Sequence, residues 1–276
     1  MIMGFSTRGN PVASRGAGPL IAGMGQVPLD GHLICDLSAM HDHFYKVLWK
    51  LLRRLDRTTG PAMADDGSAP KVSGVESRKK GGHALAFAGC EKGAGASTMA
   101  FNFASAFSAR SSRKVVLVDG NLRNPGLLHM SHTGRPGLCD VILERAVLDD
   151  VIIQVVPERY WFVQAGRAME NPIALYESDA FVKLVEELRS AYDLLIFDSP
   201  PLVDSPEAAV LASKVDGLVM VLQAEKTRRE GARAIQEELK AIDVPLLGAI
   251  LNKRREVVPE FINKRLWPYS TSFRQG

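Results

Sequence analysis

A doubly wound α/β protein with a mostly parallel sheet is predicted by three features of this 276-residue chain. From His83 onward, short apolar runs alternate with longer stretches of helical periodicity, the pattern of strands joined by crossover helices. The apolar runs read as near-continuous hydrophobic segments rather than alternating ones, so both sheet faces are covered. Three of the loops that follow them carry glycines, aspartates or prolines where such sheets bind ligands, beyond the carboxyl ends of the strands.

Taken in order, the expected strands are residues 84–88, 114–118, 160–164, 194–197, 217–222 and 246–251. The expected helices are residues 97–109, 179–190, 206–213 and 229–242, and the strand at 114–118 is followed by a loop. No internal repeat points to a solenoid. Residues 1–40 are rich in Gly, Pro, Ala and Ser without a sustained period, and are expected to form a flexible arm. Residues 41–57 follow as an amphipathic basic helix: Phe44, Val47, Leu48, Leu51, Leu52 and Leu55 repeat at helical spacing, while Lys46, Lys50, Arg53, Arg54 and Arg57 mostly fill the other arc. This helix either lies on the main domain or serves a partner or membrane surface, and deleting residues 1–57 is expected to leave a folded, soluble domain that no longer associates with membranes. Residues 58–82 read as a linker, 83–266 as the globular α/β domain that carries the ligand-bearing loops, and 267–276 as a tail.

Composition narrows the function. With 46% hydrophobic and 24% charged residues the chain suits a soluble globular protein, and no apolar run approaches the roughly 18 residues of a membrane span. The first ten residues lack a secretory apolar core, so a cytoplasmic location is expected. A formal charge of +3 does not indicate nucleic acid. Cys35, Cys90 and Cys139 stand far apart and fit a reducing compartment better than a disulfide or zinc framework. His129 and His132 lack the spaced partners of a metal site.

The chemistry concentrates in the three loops. The first, Gly89-Cys90-Glu91-Lys92-Gly93-Ala94-Gly95-Ala96-Ser97-Thr98, joins a strand to a helix, and its amides together with the helix N-terminus suit a phosphate. It has the outline of a P-loop, with Ala96 where the Gly-Lys-Ser/Thr ending has its lysine. The second strand releases Asp119 and then Arg123 at its open end. The third ends in Asp198-Ser199-Pro200-Pro201, an acid placed to hold Mg²⁺ directly or through water.

From about residue 42 to 266 the sequence resembles the bacterial tyrosine autokinases of capsular and exopolysaccharide synthesis, relatives of the partitioning and septum-positioning ATPases with a deviant P-loop. The likeness includes Gly137-Leu138-Cys139-Asp140-Val141-Ile142, Asn171-Pro172-Ile173-Ala174-Leu175, Val215-Asp216-Gly217-Leu218-Val219 and Leu247-Gly248-Ala249-Ile250-Leu251-Asn252. It implies a P-loop NTPase fold that binds ATP or ADP with Mg²⁺ through Gly93, Ala94, Gly95, Ala96, Ser97 and Thr98. Ser97 and Asp198 would attend the metal, Asp119 and Arg123 the chemistry, and Asn252 the base. It implies as partner a membrane polysaccharide co-polymerase or chain-length regulator, peripheral placement at the inner membrane through that partner, and a homo-oligomer.

The departures from this pattern shape the expected function. Ala96 replaces the lysine, Asn121 the second acid of Asp-x-Asp-x-Arg, and Glu91 the extra lysine of the partitioning ATPases. Residues aligned with the ring-linking Glu-x-x-Arg-x-x-Arg read Asp42, Tyr45 and Leu48, and the tail has Tyr269 in place of a tyrosine cluster. Removing one preorganised group that stabilises developing charge lowers a rate by about 10² to 10³. A lost hydrogen bond to a charged group weakens binding by only about 1.5–3 kcal/mol. A degenerate kinase that regulates or scaffolds polysaccharide polymerisation and export, with nucleotide bound weakly or not at all, is therefore expected. The alternatives are an active autokinase using Lys92 and Tyr269, and a positioning ATPase.

Overall fold

The structure, a computed structural model, describes residues 2–4, 43–52, 81–127 and 135–253. Leu55, Arg53, Arg54, Arg57, His129, His132 and Tyr269 lie outside the described residues, as do Asp42 and Cys35. An eight-stranded sheet organises the fold, in the order β1-β8-β7-β2-β6-β3-β5-β4. Its strands are β1 (Ile2–Gly4), β2 (His83–Gly89), β3 (Val115–Asp119), β4 (Ile152–Val156), β5 (Tyr160–Val163), β6 (Leu194–Ser199), β7 (Gly217–Gln223) and β8 (Leu246–Asn252). All neighbours are parallel except β4 and β5. The helices are α1 (residues 43–52), α2 (Ala96–Arg110), α3 (Leu138–Ile142), α4 (Leu148–Val151), α5 (Pro172–Glu177), α6 (Asp179–Ala191), α7 (Pro206–Ser213) and α8 (Arg229–Ala241).

The two-residue period of the strands builds a core on each face of the sheet. In β2, Ala84, Ala86 and Ala88 face one apolar cluster while Leu85 and Phe87 face the other. β3 divides in the same way, with Val116 and Val118 opposite Val115 and Leu117; so does β6, with Leu195 and Phe197 opposite Leu194 and Ile196. Because β2 offers only methyl groups to the first face, large side chains can fill the space above it: Phe181 of α6 stacks edge-on to Phe197 and to Tyr176. α2 covers the second face with Met99, Phe103 and Phe107.

α1 joins that second cluster. Phe44, Val47, Leu48, Leu51 and Leu52 are buried, Phe44 meets Phe103 edge-on with ring centroids 5.0 Å apart, and Tyr45 lies 6.2 Å from Phe107. The apolar stripe is therefore spent inside the domain rather than on an outside partner, and Lys46, Trp49 and Lys50 form the exposed side. A second departure concerns residues 2–4, which fall within the expected flexible arm yet pair with β8 as a parallel edge strand, Met3 opposite Ile250.

Several of the remaining motifs prove to be structural. Asp216 receives Arg189 in a bidentate pair (2.7 and 2.9 Å) and also the Ala84 N–H (2.8 Å), tying the start of β2 to α6 and β7. Gly217 follows because a Cβ there would lie 2.6 Å from Leu247. Asp140 accepts the Gly137 N–H at 2.9 Å and so closes the turn into α3. Pro172 occupies the first turn of α5, where a missing N–H costs no helical bond.

Candidate nucleotide site

The carboxyl ends of β2, β3, β6, β7 and β8 bring the expected loops to one edge of the sheet. Residues 90–95 run from β2 into α2, which starts from Gly95 in the left-handed region (φ 95°) with no side-chain cap and no acid in its first turn. The first amides of α2 thus keep their capacity to bind an anion, reinforced by the helix dipole. Gly95 is required twice over, by its φ and because a Cβ would lie 2.3 Å from Asn252 Nδ2. Asn252 donates to the Ala94 carbonyl at 2.9 Å, and Lys253 donates from Nζ to the Gly93 carbonyl at 2.8 Å. The end of β8 therefore braces the loop from outside. Lys253 had no place in the sequence reading; its position directly after Asn252 was the available signal.

Ala96 and Ser97 open α2 and are partly buried, with Thr98 beside them. Asp119 and Asp198 are opposite each other in the β3–β6 register, both buried. Asp119 is occupied by its own loop: it accepts N–H groups from Asn121, Gly126 and Leu127, each at 3.1 Å. Asp198 differs. Ser97 hydrogen-bonds to it, but Oδ1 has no partner, and its carboxyl is held well above the usual range by burial and by the Asp119 charge against the relief given by Ser97. A hydroxyl and a buried carboxylate with an open oxygen, set where phosphates would arrive, are hard oxygen donors that fit Mg²⁺. Replacing Asp198 by Asn should keep the Ser97 contact and remove the cost of burying an ionisable acid there, whether met as a buried charge or as a proton taken up on folding. Metal-free Asp198→Asn protein is expected to melt about 2–4 °C higher, a gain of about 1 kcal/mol, while Mg²⁺ with ADP no longer raises its melting temperature. Scanning calorimetry with EDTA and then with Mg²⁺-ADP checks both parts; an unchanged metal-free melting temperature would speak against a destabilising Asp198 carboxyl.

Asn121 accepts the Asn124 N–H at 3.2 Å, so the residue in place of the second acid serves the turn. Arg123 reaches Glu207 of α7, Nε to Oε1 at 2.6 Å, a partner that sequence reasoning did not find. Glu91 turns to the loop after β7, accepting the Thr227 hydroxyl at 2.8 Å with Lys226 at 3.8 Å. Lys92 is exposed at the rim. Cys90 and Cys139 are buried thiols; burial and Glu91 push Cys90 upward, and burial with Asp140 pushes Cys139 up to about 11, so neither has thiolate character near neutral pH. Among the described residues no cluster of His, Cys, Asp and Glu forms a metal site of its own, and no helix is long and apolar enough to cross a membrane.

An uncapped helix after a glycine loop, with two strand-end aspartates beside it on a mostly parallel sheet, defines the P-loop NTPase fold. In keeping with this, residues 82–248 match a family model described as an AAA domain. The septum site-determining protein MinD from Pyrococcus horikoshii, solved with Mg-ADP, shares the fold at a TM-score of 0.53 and 22% identity, over 66% of this chain and 76% of that one. Tyrosine-protein kinase CpsD of Streptococcus agalactiae is 31% identical over 180 residues, which are 64% of this chain and 78% of the relative. Tyrosine-protein kinase YwqD of Bacillus subtilis is 33% identical over 168 residues, 59% of this chain and 69% of that protein. The VpsO kinase domain superposes with a TM-score of 0.59 at 26% identity, covering 63% of this chain and 86% of the domain. The chain belongs to the bacterial tyrosine-protein kinase family.

Proposed function

We propose that this protein is a kinase-family member that binds Mg²⁺-nucleotide weakly, has almost no phosphoryl-transfer activity, and acts as a cytoplasmic regulatory or scaffolding subunit. Its partner on this reading is a membrane co-polymerase of capsule or exopolysaccharide assembly and export, which would hold it at the inner membrane. The observation that carries the reading is Ala96 in the lysine's place beside an otherwise intact phosphate end: the uncapped start of α2, Ser97 and Asp198. Binding draws on all of these groups, so the missing lysine weakens it by about 1.5–3 kcal/mol. Transfer of the phosphoryl group needs a fixed cation where charge develops, and that is the group this loop lacks. Gly93, Ala94, Gly95, Ser97 and Thr98 would hold the phosphates, Ser97 and Asp198 would take Mg²⁺, which would neutralise phosphate charge when bound, and Asn252 would sit at the base end. Asp119 and Arg123 would flank the transferred group.

Calorimetric titration of the full chain with Mg²⁺-ADP, alongside phosphotyrosine detection after incubation with ATP and the membrane partner, tests the reading. Binding without phosphotyrosine is expected. Robust phosphotyrosine that disappears in Asp119→Asn would instead establish an active autokinase.

A further inference from the structure

Glu207 belongs to none of the nucleotide motifs, yet it is fully buried at their edge. It sits in the first turn of α7, where the helix dipole favours an acid, and its Oε1 takes the Arg123 Nε while Oε2 has no partner. Its charge, with those of Asp119 and Asp198, bears on the buried Tyr176 hydroxyl, which donates to the Gly120 carbonyl next to Asp119. Glu207 therefore shares the surroundings of Tyr176 with the two aspartates of the candidate site. Arg123 is different in character: its side chain is 45% exposed, and it departs from the loop four residues after Asp119. The contact with Glu207 engages Nε only, so the two terminal amino groups of Arg123 are without a partner among the described residues.

We propose that Glu207 is a positioning residue that anchors Arg123 by Nε, so that the outer edge of the guanidinium is held ready for the phosphate oxygens of a bound nucleotide. The inference rests on the nucleotide-binding reading above. A long arginine on a loop must surrender rotamer freedom to grip a phosphate, and an anchor at Nε fixes the side chain in advance while leaving two N–H groups on one edge for a two-point contact. The need is greater here because Ala96 removes the lysine that would otherwise meet the phosphates. A buried carboxylate is costly unless paired, so Glu207 in turn holds Arg123 rather than releasing it to solvent.

A double-mutant cycle on the full chain, read as the affinity for a fluorescent ADP with Mg²⁺, tests the proposal. Arg123→Ala is expected to weaken binding about tenfold, and Glu207→Gln, which keeps the shape but not the charge, by a similar factor. Since both act through one guanidinium, the double variant should bind no more weakly than Arg123→Ala alone. As a readout of position, the Arg123 Nε–H resonance should move on adding Mg²⁺-ADP in the parent chain and lose that response in Glu207→Gln. Additive losses, or a Glu207→Gln variant that binds like the parent, would overturn the positioning role while leaving the nucleotide reading standing. A parent chain that binds no Mg²⁺-ADP would overturn both.

Discussion

Returning a lysine to position 96 is expected to raise ATP-dependent phosphoryl transfer by about 10² to 10³ and to tighten Mg²⁺-ADP binding by about 1.5–3 kcal/mol. The surroundings are built for it. Ala96 is the first residue of α2, next to the serine that bonds Asp198, on a loop whose carbonyls at Gly93 and Ala94 are already held by Lys253 and Asn252. Little rearrangement is therefore needed for a lysine there to meet the phosphates, and the added charge has two buried aspartates nearby to offset its desolvation. Phosphate release and phosphotyrosine formation in Ala96→Lys, compared with the parent, give the measurement. An Ala96→Lys protein that binds more tightly but gains no turnover would move the defect to Asn121, whose amide replaces an acid and serves the Asn124 turn.

The second large effect concerns α1. Deleting residues 1–57 should destroy cooperative folding rather than release an intact domain. Five large side chains of α1 are buried against α2 and the sheet. At about 1.5–3 kcal/mol each, their removal forfeits about 7–15 kcal/mol, comparable with the entire stability of a typical domain. The same deletion takes β1 from the edge of β8. The milder change Leu48→Ala, at a fully buried position, is expected to cost about 2–5 kcal/mol in guanidinium unfolding. A soluble 58–276 fragment that unfolds at the same denaturant concentration as the full chain would show that the helix contributes nothing to the fold. The test also bears on recruitment: only Lys46, Trp49, Lys50 and their exposed neighbours remain for a partner once the apolar stripe is committed inward.

The amphipathic stripe was visible in the sequence, but what covers it was not. The same spacing of Phe44, Leu48 and Leu51 serves a helix that docks in its own domain or on another molecule, because periodicity reports a buried face and not the identity of its cover. The decision was made by Phe103 on α2, which meets Phe44 from more than fifty residues further along the chain. A comparable limit hid Glu207. Its partner Arg123 is 84 residues away, and a glutamate near the start of a helix is ordinarily a dipole-complementing surface residue. Only the packing of α7 against α5, β2 and β7 turns it into a buried counter-ion. β4 was missed for a simpler reason: Gln154 splits its Ile and Val residues into two short pairs, and the strand runs antiparallel at the sheet edge with a register shift after Gln154.

By itself the sequence determined the central strands, the long helices, the three ligand-bearing loops and the absence of a lysine at position 96, since these depend on short-range periodicity and on residue types at fixed spacing. The tertiary structure alone decided that α1 is part of the core, that residues 2–4 extend the sheet, that Glu91 faces the loop after β7, and that Asp198 keeps an open oxygen while Asp119 is saturated by its own turn. Each of these is a matter of which distant surfaces and polar groups meet. Burial energies and hydrogen-bond satisfaction settle that only when the whole chain is packed, because a local pattern specifies what a residue can bond or bury but not the neighbour that the fold delivers to it.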